Sequence, residues 1–312
     1  MNRRNAIILL AAAAASRGGA STPASAHTFE RGLMGTRFAI SCHHSDAAKA
    51  KAAADAAFEA AERINRVASD YIADSELLEL SKHPAGEAVT VSPLLYHLVS
   101  QARELAEKTN GCFDPTLGPL TRLWRESRRR KSLPDASTLS AARAASGWRN
   151  LLLDSRKSTI TFAQPGMRLD LGGIAKGQAA DAMLDVMVKH GIPACCITAG
   201  GDVRAGDPPP GAEGWSVGVR SGEESSEKLI LKNAAASTSG DLHQFIELNG
   251  VRYSHIIDPA TGLGLTRHVA ATVIAPTAAA SDALATACCV APSGTAKEIA
   301  REAGATHVML SE

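Results

Sequence analysis

Apolar and polar positions along the chain follow two rhythms, helical in some stretches and alternating in others. DAAKAKAAADAAFEAAERINRVAS repeats small apolar residues at helical spacing and predicts a helix over 46–69. A second helix opens at Ser92-Pro93, a cap followed by proline in the first turn, and places Leu95, Leu98, Val99, Ala102, Leu105 and Ala106 on one side until Gly111 stops it. TRFAISC (36–42) reads as a strand. From Leu151 onward the shorter period dominates. LLLDSRKSTITF (151–162), WSVGVR (215–220) with KLILK (228–232), and HQFIELNGVRYSHII (243–257) turning at Asn249-Gly250 each read as hairpins. Helices are expected at about 175–190, 279–291 and 294–303, and HVML (307–310) closes as a strand. Hairpins mixed with separated helices predict an α+β fold of mixed or antiparallel sheets with packed helices, not a repeating βα array.

The first 26 residues break both rhythms. MNRRNAIILLAAAAASRGGASTPASA has Arg3 and Arg4, an apolar run over 6–15 and small residues at Ala24-Ser25-Ala26, the pattern of an export signal cut after Ala26. The expected organisation is a leader over 1–26 and one domain over 27–312, delivered outside the cytoplasm, with periplasmic placement by the general or the twin-arginine route. The apolar run is short for a membrane span. Loss of Arg3, Arg4 and Arg17 takes the formal charge from +1 to −2, so no global basic field recruits nucleic acid. The run RLWRESRRRKS (122–132) is locally basic and reads as a solvated helix end, with an acidic partner or a nucleotide phosphate as the alternative. Cys42, Cys112, Cys195, Cys196, Cys288 and Cys289 all follow the leader. Two vicinal pairs inside apolar segments look like core residues, and no CxxC spacing suggests zinc.

Three segments carry candidate chemistry. In LDLGGIAKGQAADAML (169–184), glycines 172, 173 and 177 around a helix start let backbone approach a ligand, and Lys176 adds a positive charge. Neither standard phosphate motif fits, so a tight strand-to-helix turn is the competing reading. Asp170 is either a turn former or an acceptor for a ligand hydroxyl or amine. In SHIIDPATG (254–262), Asp258-Pro259 and Thr261-Gly262 are turn chemistry, and His255 is either an ordinary strand histidine or a general base. In SDALATACC (281–289), Asp282 and Thr286 are one helical turn apart and point the same way. A carboxylate, a hydroxyl and carbonyls suit magnesium. The alternative is a cap at Ser281 or Asp282, with Thr286 bonded back to the Asp282 carbonyl. Tyr71, Phe113 and Trp124, in a chain only 4% aromatic, are either walls for a planar ligand or plain core.

In order along the chain, Met34-Gly35-Thr36, DSELLEL (74–80), GCFDPTLGPLTRLW (111–124), DLGGIAKG (170–177) with Asp181, AGGDVRAG (199–206), SGD (239–241), HIIDPATG (255–262) and SDALATA (281–287) resemble the ApbE family of FAD:protein FMN transferases. The resemblance implies an FAD cleft between two lobes and a magnesium-dependent enzyme. Its reaction joins the FMN half of FAD, through the phosphate, to a threonine or serine of an acceptor flavoprotein and releases AMP. It implies metal ligation by Asp282 and Thr286 with backbone oxygens of Gly173 and Ala285. It also implies a flavin pocket at Met34, Tyr71, Cys112, Phe113, Asp114, Asp170, Lys176 and Ile256, and His255 as the base, with His255 and Asp282 the catalytic pair.

Three positions depart from the family pattern: Ser81-Lys82 where an asparagine is common, Leu242 where an aromatic follows SGD, and Gly264 where a proline usually follows the TG turn. They bear on acceptor choice and on the balance between transfer and hydrolysis. Two other outcomes therefore stand beside the transferase: a magnesium-dependent FAD pyrophosphatase giving FMN and AMP, and an exported flavin-binding protein without chemistry.

Overall fold

The alternating segments assemble into a seven-stranded sheet whose two faces bury different partners. The computed structural model describes residues 8–9, 25–220, 226–240 and 245–311. Strands are β1 Ile8–Leu9, β2 Ser25–Leu33, β3 Thr36–His44, β4 Val89–Thr90, β5 Leu151–Asp154, β6 Thr159–Phe162, β7 Cys195–Ala199, β8 Asp202–Ala205, β9 Trp215–Arg220, β10 Ser226–Leu231, β11 Ala235–Gly240, β12 Phe245–Leu248, β13 Val251–Ser254, β14 Ala270–Ala275 and β15 His307–Ser311. Helices are α1 Ala47–Ala68, α2 Glu76–Leu80, α3 Pro93–Lys108, α4 Gly118–Arg130, α5 Ala136–Ala144, α6 Ala175–Lys189, α7 Ala278–Val290 and α8 Ala296–Glu302. This is the expected α+β class.

The large sheet runs β15-β14-β11-β8-β7-β3-β2, and every neighbouring pair is antiparallel. Successive side chains on a strand point to opposite faces. Cys195 and Ile197 therefore enter the main core beneath α1, α6 and α7, while Cys196 joins Val203, Ala205, Trp215, Val217 and Leu231 under the β9–β10 ribbon. The vicinal pair is thus split between two cores. None of the six cysteines is in a disulfide. Burial pushes the Cys42 and Cys195 thiols up to about 11 and about 12, as expected of packing residues.

The expected elements fall where the patterns put them. Helix α1 is capped by the Asp46 carboxylate on the Lys49 amide (3.0 Å), and α3 by the Ser92 hydroxyl on the Leu95 amide (3.1 Å). The six apolar residues named on α3 are all buried, which at about 1.5–3 kcal/mol for a large apolar side chain seats the helix firmly. Asn249 and Gly250 both take positive φ (51° and 77°), the two-residue turn that matches strand twist. The same geometry at Met34-Gly35 (48° and 70°) joins β2 to β3, a strand pair that was unexpected. Helices α2 and α5 were unexpected as well, whereas α4 ends in the basic run over 122–132 that reads as a solvated helix end.

Most of the predicted leader and Leu242, with Asp241, His243 and Gln244, lie outside the described residues. Strand β2 starts at Ser25, so a cut after Ala26 would trim two of its nine register pairs with β3. Among the described residues, no helix is long and apolar enough to cross a membrane.

Candidate functional site

Helices α6 and α7 cross where Gly177 meets the first turn of α7. A Cβ on Gly177 would stand 2.2 Å from the Ala278 carbonyl oxygen and 2.7 Å from the Ala279 nitrogen. Gly177 therefore serves close helix packing and not the approach of backbone to a ligand, which corrects the expectation from the glycine-rich segment. Asp181, one turn further along α6, accepts from the amides of Ala278 and Ala279 (both 2.9 Å) and from Arg204 Nε (2.8 Å). A carboxylate thus satisfies the open amides at the start of α7, where helix amides and dipole favour negative charge.

The cap of α7 is Thr277, whose hydroxyl accepts from the Ala280 amide (3.2 Å). Ser281 and Asp282 are inside the helix, so neither caps it. The Ser281 hydroxyl faces Ser237 Oγ (2.7 Å), and the Thr286 hydroxyl lies 3.1 Å from Ser239 Oγ on β11. The capping alternative for Asp282 and Thr286 fails on this geometry.

Asp282 is 3% exposed and Asp202, at the start of β8, is 2% exposed. Lys176 Nζ sits between them, 2.9 Å from Asp282 Oδ2 and 3.1 Å from Asp202 Oδ2. The Gly177 amide also donates to Asp282 Oδ2 (3.3 Å). The contact between Lys176 and Asp202 is an ion pair by distance, yet it lacks hydrogen-bond direction, and Asp202 Oδ2 has no hydrogen-bond partner. Burial, then the neighbouring Asp202, raise the Asp282 carboxyl to about 6, against the opposing pull of Lys176. Burial lowers the Lys176 ammonium, but the two carboxylates outweigh it and hold its pKa above the ordinary lysine value. Two carboxylates face one ammonium, so the site carries one uncompensated negative charge in a buried setting.

That imbalance tests the fit of a magnesium ion. Asp282, Asp202, Thr286 and Ser239 are all oxygen donors of the hard kind, and one buried carboxylate oxygen lacks a hydrogen-bond partner. Gly173 borders the same place, since a Cβ there would meet Thr286 Oγ1 and the Phe113 ring, each at 3.4 Å. Ala285 is fully buried behind the pair. Among the described residues no three His, Cys, Asp or Glu side chains gather in a metal-binding group, so a cation here draws on hydroxyl, backbone and substrate oxygens as well as carboxylate. The residues fit the ion.

A second cluster forms on the other side of the DLGG turn. Arg125 on α4 lies 2.5 Å from Asp70 Oδ2 and 3.4 Å from Asp170 Oδ2, with its guanidinium 4.3 Å above the Tyr71 ring. Asp170 also accepts from the Gly172 amide (2.8 Å). Burial, then Asp170, raise the Asp70 carboxyl, with Arg125 opposing. Tyr71 remains 76% exposed, a phenol ring held over polar side chains with one face toward solvent. Phe113, Trp124 and Ile256 are instead buried. Asp114 ties its loop to the segment at Trp148, with Oδ1 accepting from the Thr116 amide and hydroxyl (2.8 and 2.6 Å) and Oδ2 from the Trp148 amide (3.1 Å). Met34 and Cys112 are half-buried against the main core.

His255 follows directly after β13 and is half-buried. Its neighbours are tightly fixed: Ser254 Oγ accepts from the Ile256 amide (3.0 Å), and Asp258 Oδ1 accepts from the Ala260 amide (2.8 Å), which makes Asp258 a turn residue. Gly264 is explained by the same crowding, because a Cβ there would lie 2.1 Å from the Ser254 carbonyl oxygen and 2.9 Å from the Trp124 ring. Sequence reasoning missed Arg125, Asp70, Asp202 and Ser239 as site residues. AGGD and SGD carried the last two within motifs already noted, whereas nothing in RLWRE marked Arg125 as the bridging cation.

The sequence model of the ApbE family matches residues 34–310. The FAD:protein FMN transferase of Treponema pallidum is 34% identical over 262 residues, covering 78% of this chain and 72% of that protein. The FAD:protein FMN transferase of Vibrio cholerae is 33% identical over 232 residues, covering 72% and 69%. Among solved structures, the apo flavinyl transferase ApbE of Pseudomonas stutzeri superposes with a TM-score of 0.81 at 26% identity, over 91% of this chain and 90% of that one. The ApbE protein of Thermotoga maritima gives 0.81 at 31% identity, over 92% and 94%.

Proposed function

The chain belongs to the ApbE family, and from that footing we propose that it transfers FMN from FAD to a threonine or serine hydroxyl of an acceptor flavoprotein. The observation that carries the reading is the buried Asp282–Lys176–Asp202 group beside Thr286 and Ser239, one positive charge short of balance. A pyrophosphate in transfer builds negative charge on its oxygens, and an uncompensated anionic site draws in the divalent cation that meets that charge.

Asp282 and Thr286 would hold magnesium, with backbone oxygens of Gly173 and Ala285 completing the protein's share. When bound, the ion supplies Lewis-acid stabilisation of the pyrophosphate oxygens. The chain's own residues do the positioning on which phosphoryl transfer chiefly depends. Lys176, held by two carboxylates, presents its ammonium beside that site. Tyr71, under Arg125, offers one ring face to the isoalloxazine. The acceptor hydroxyl oxygen forms the new bond to the FMN phosphorus, its proton passes to the His255 ring, and the bond to the AMP phosphate breaks. A base in that role contributes roughly 10²–10⁴-fold.

The test is incubation of the chain with FAD, magnesium and an acceptor flavoprotein, followed by a denaturing gel read for flavin fluorescence. Fluorescence on the acceptor supports transfer. FMN and AMP released with the acceptor unmodified would show a pyrophosphatase, and FAD retained intact would show a binding protein.

A further inference from the structure

The arginine-rich end of α4 contributes Arg125 to the site, and its remaining cations are unused there. Arg129 and Arg130 lie on Glu126 (3.8 and 2.5 Å), whereas Arg128 and Lys131 form no ion pair among the described residues. Both line a groove of about 360 Å³ between this helix end and β12, together with Phe245, Ile246 and Glu247. Phe245 is 41% exposed, and the Arg252 guanidinium lies 3.8 Å over its ring. The groove is thus lined by two cations, two apolar side chains and one carboxylate, with Arg252, bonded to His268, stacked on Phe245 at its border.

Its position relative to the site is fixed by Trp124. The Trp124 indole N–H donates to the Ser254 carbonyl (3.1 Å), and its ring meets Tyr253 edge-on at 5.6 Å. This joins α4 to the β12–β13 hairpin, whose second strand ends at the residue before His255. One helical turn back along α4, Arg125 stacks on Tyr71 and pairs with Asp70 and Asp170. The groove is therefore attached to the same unit as the proposed base at one end and the proposed flavin contact at the other.

We propose that this groove docks the acceptor protein, taking an acidic, partly apolar segment that flanks the hydroxyl to be modified. The inference rests on the transferase reading. Arg128 and Lys131 complement Asp and Glu side chains, and Phe245 and Ile246 receive an apolar one. FAD needs no second cationic groove here, because in the proposed reaction its pyrophosphate is met by Lys176 and by the magnesium that Asp282 would hold.

The experiment uses the full chain, FAD, magnesium and one flavoprotein acceptor domain made in two forms, with Asp/Glu or with Lys/Arg flanking its target threonine. Rates of covalent flavin incorporation yield KM for acceptor and for FAD separately. The Arg128→Glu/Lys131→Glu variant is expected to raise KM for the acidic acceptor about tenfold or more, to flatten its salt dependence and to favour the basic acceptor. KM for FAD and kcat at saturating acceptor stay as in the wild type. Because both residues are exposed at a helix end, Arg128→Ala/Lys131→Ala serves as a milder variant, with a smaller effect in the same direction. An unchanged KM for acceptor, or a matching rise in KM for FAD, overturns the docking assignment. Fluorescence anisotropy with labelled acceptor separates the two readings. Charge-dependent binding without any flavin transfer would sink the transferase reading and support docking, whereas equal binding by wild type and variant overturns docking even if transfer proceeds.

Discussion

Replacing Asp282 with asparagine keeps the shape of the side chain and removes its charge, which isolates the imbalance at the centre of the site. In the metal-free protein the Asp282 carboxyl titrates at about 6 against an ordinary 3.8, chiefly because of burial and then Asp202. A shift of roughly two units, at about 1.4 kcal/mol each, amounts to about 3 kcal/mol against the charged form. Lys176 keeps Asp202 as its partner in the variant. Metal-free Asp282→Asn is therefore expected to be at least as stable as the wild type at pH 8, with a gain of up to about 3 kcal/mol. At about 2–4 °C of Tm per kcal/mol for a chain of this size, that is at most roughly 6–12 °C. Scanning calorimetry in EDTA measures it, and repetition with magnesium should raise the Tm of the wild type alone. If Asp282 were an ordinary, well-compensated buried ion pair, its loss would cost about 3–5 kcal/mol. An Asp282→Asn variant that melts well below the wild type in EDTA would refute the imbalance.

The remaining predictions follow from the same contacts. The folded pKa of Asp282 lies above its unfolded value, so its cost to stability is full above pH 6 and fades as pH falls toward 3.8. Magnesium affinity should accordingly be flat above pH 7 and drop about tenfold per pH unit below 6 in calorimetric titration; affinity constant from pH 5 to 8 would contradict the assignment. Gly177→Ala forces a methyl against the Ala278 carbonyl and should cost about 1–3 kcal/mol, seen as a lower Tm together with weaker magnesium binding. An unchanged Tm would mean that the two helices separate easily. His255→Ala should slow transfer by roughly 10²–10⁴-fold and leave FAD binding, read by flavin fluorescence quenching, intact. Loss of binding in parallel would make His255 a contact and not a base.

What was legible in the sequence had a local signature. The alanine-rich period of α1, the Ser92 cap, the Asn249-Gly250 turn and the apolar stripe of α3 each depend on residues within one or two turns, and they fall as read. Strand β2 is not legible because FERGL follows the leader without clear alternation, and of α4 only the basic end is legible, because its polar, arginine-rich face outweighs Leu120 and Trp124. Asp282 and Thr286 could be paired from their spacing, yet their role turned on partners remote in sequence. Lys176 reaches across 106 residues to Asp282, and Ser239 across 47 to Thr286. Gly177 shows the same limit, since a glycine that admits a ligand and one that admits a helix look alike until the helix is placed.

Mass analysis of the acceptor after reaction with FAD and magnesium tests the central claim most directly. The account predicts an acceptor peptide carrying FMN as a phosphate ester on one threonine or serine, formed with equimolar AMP and absent from the Asp282→Asn reaction. An unmodified acceptor with FMN and AMP free in solution would contradict it.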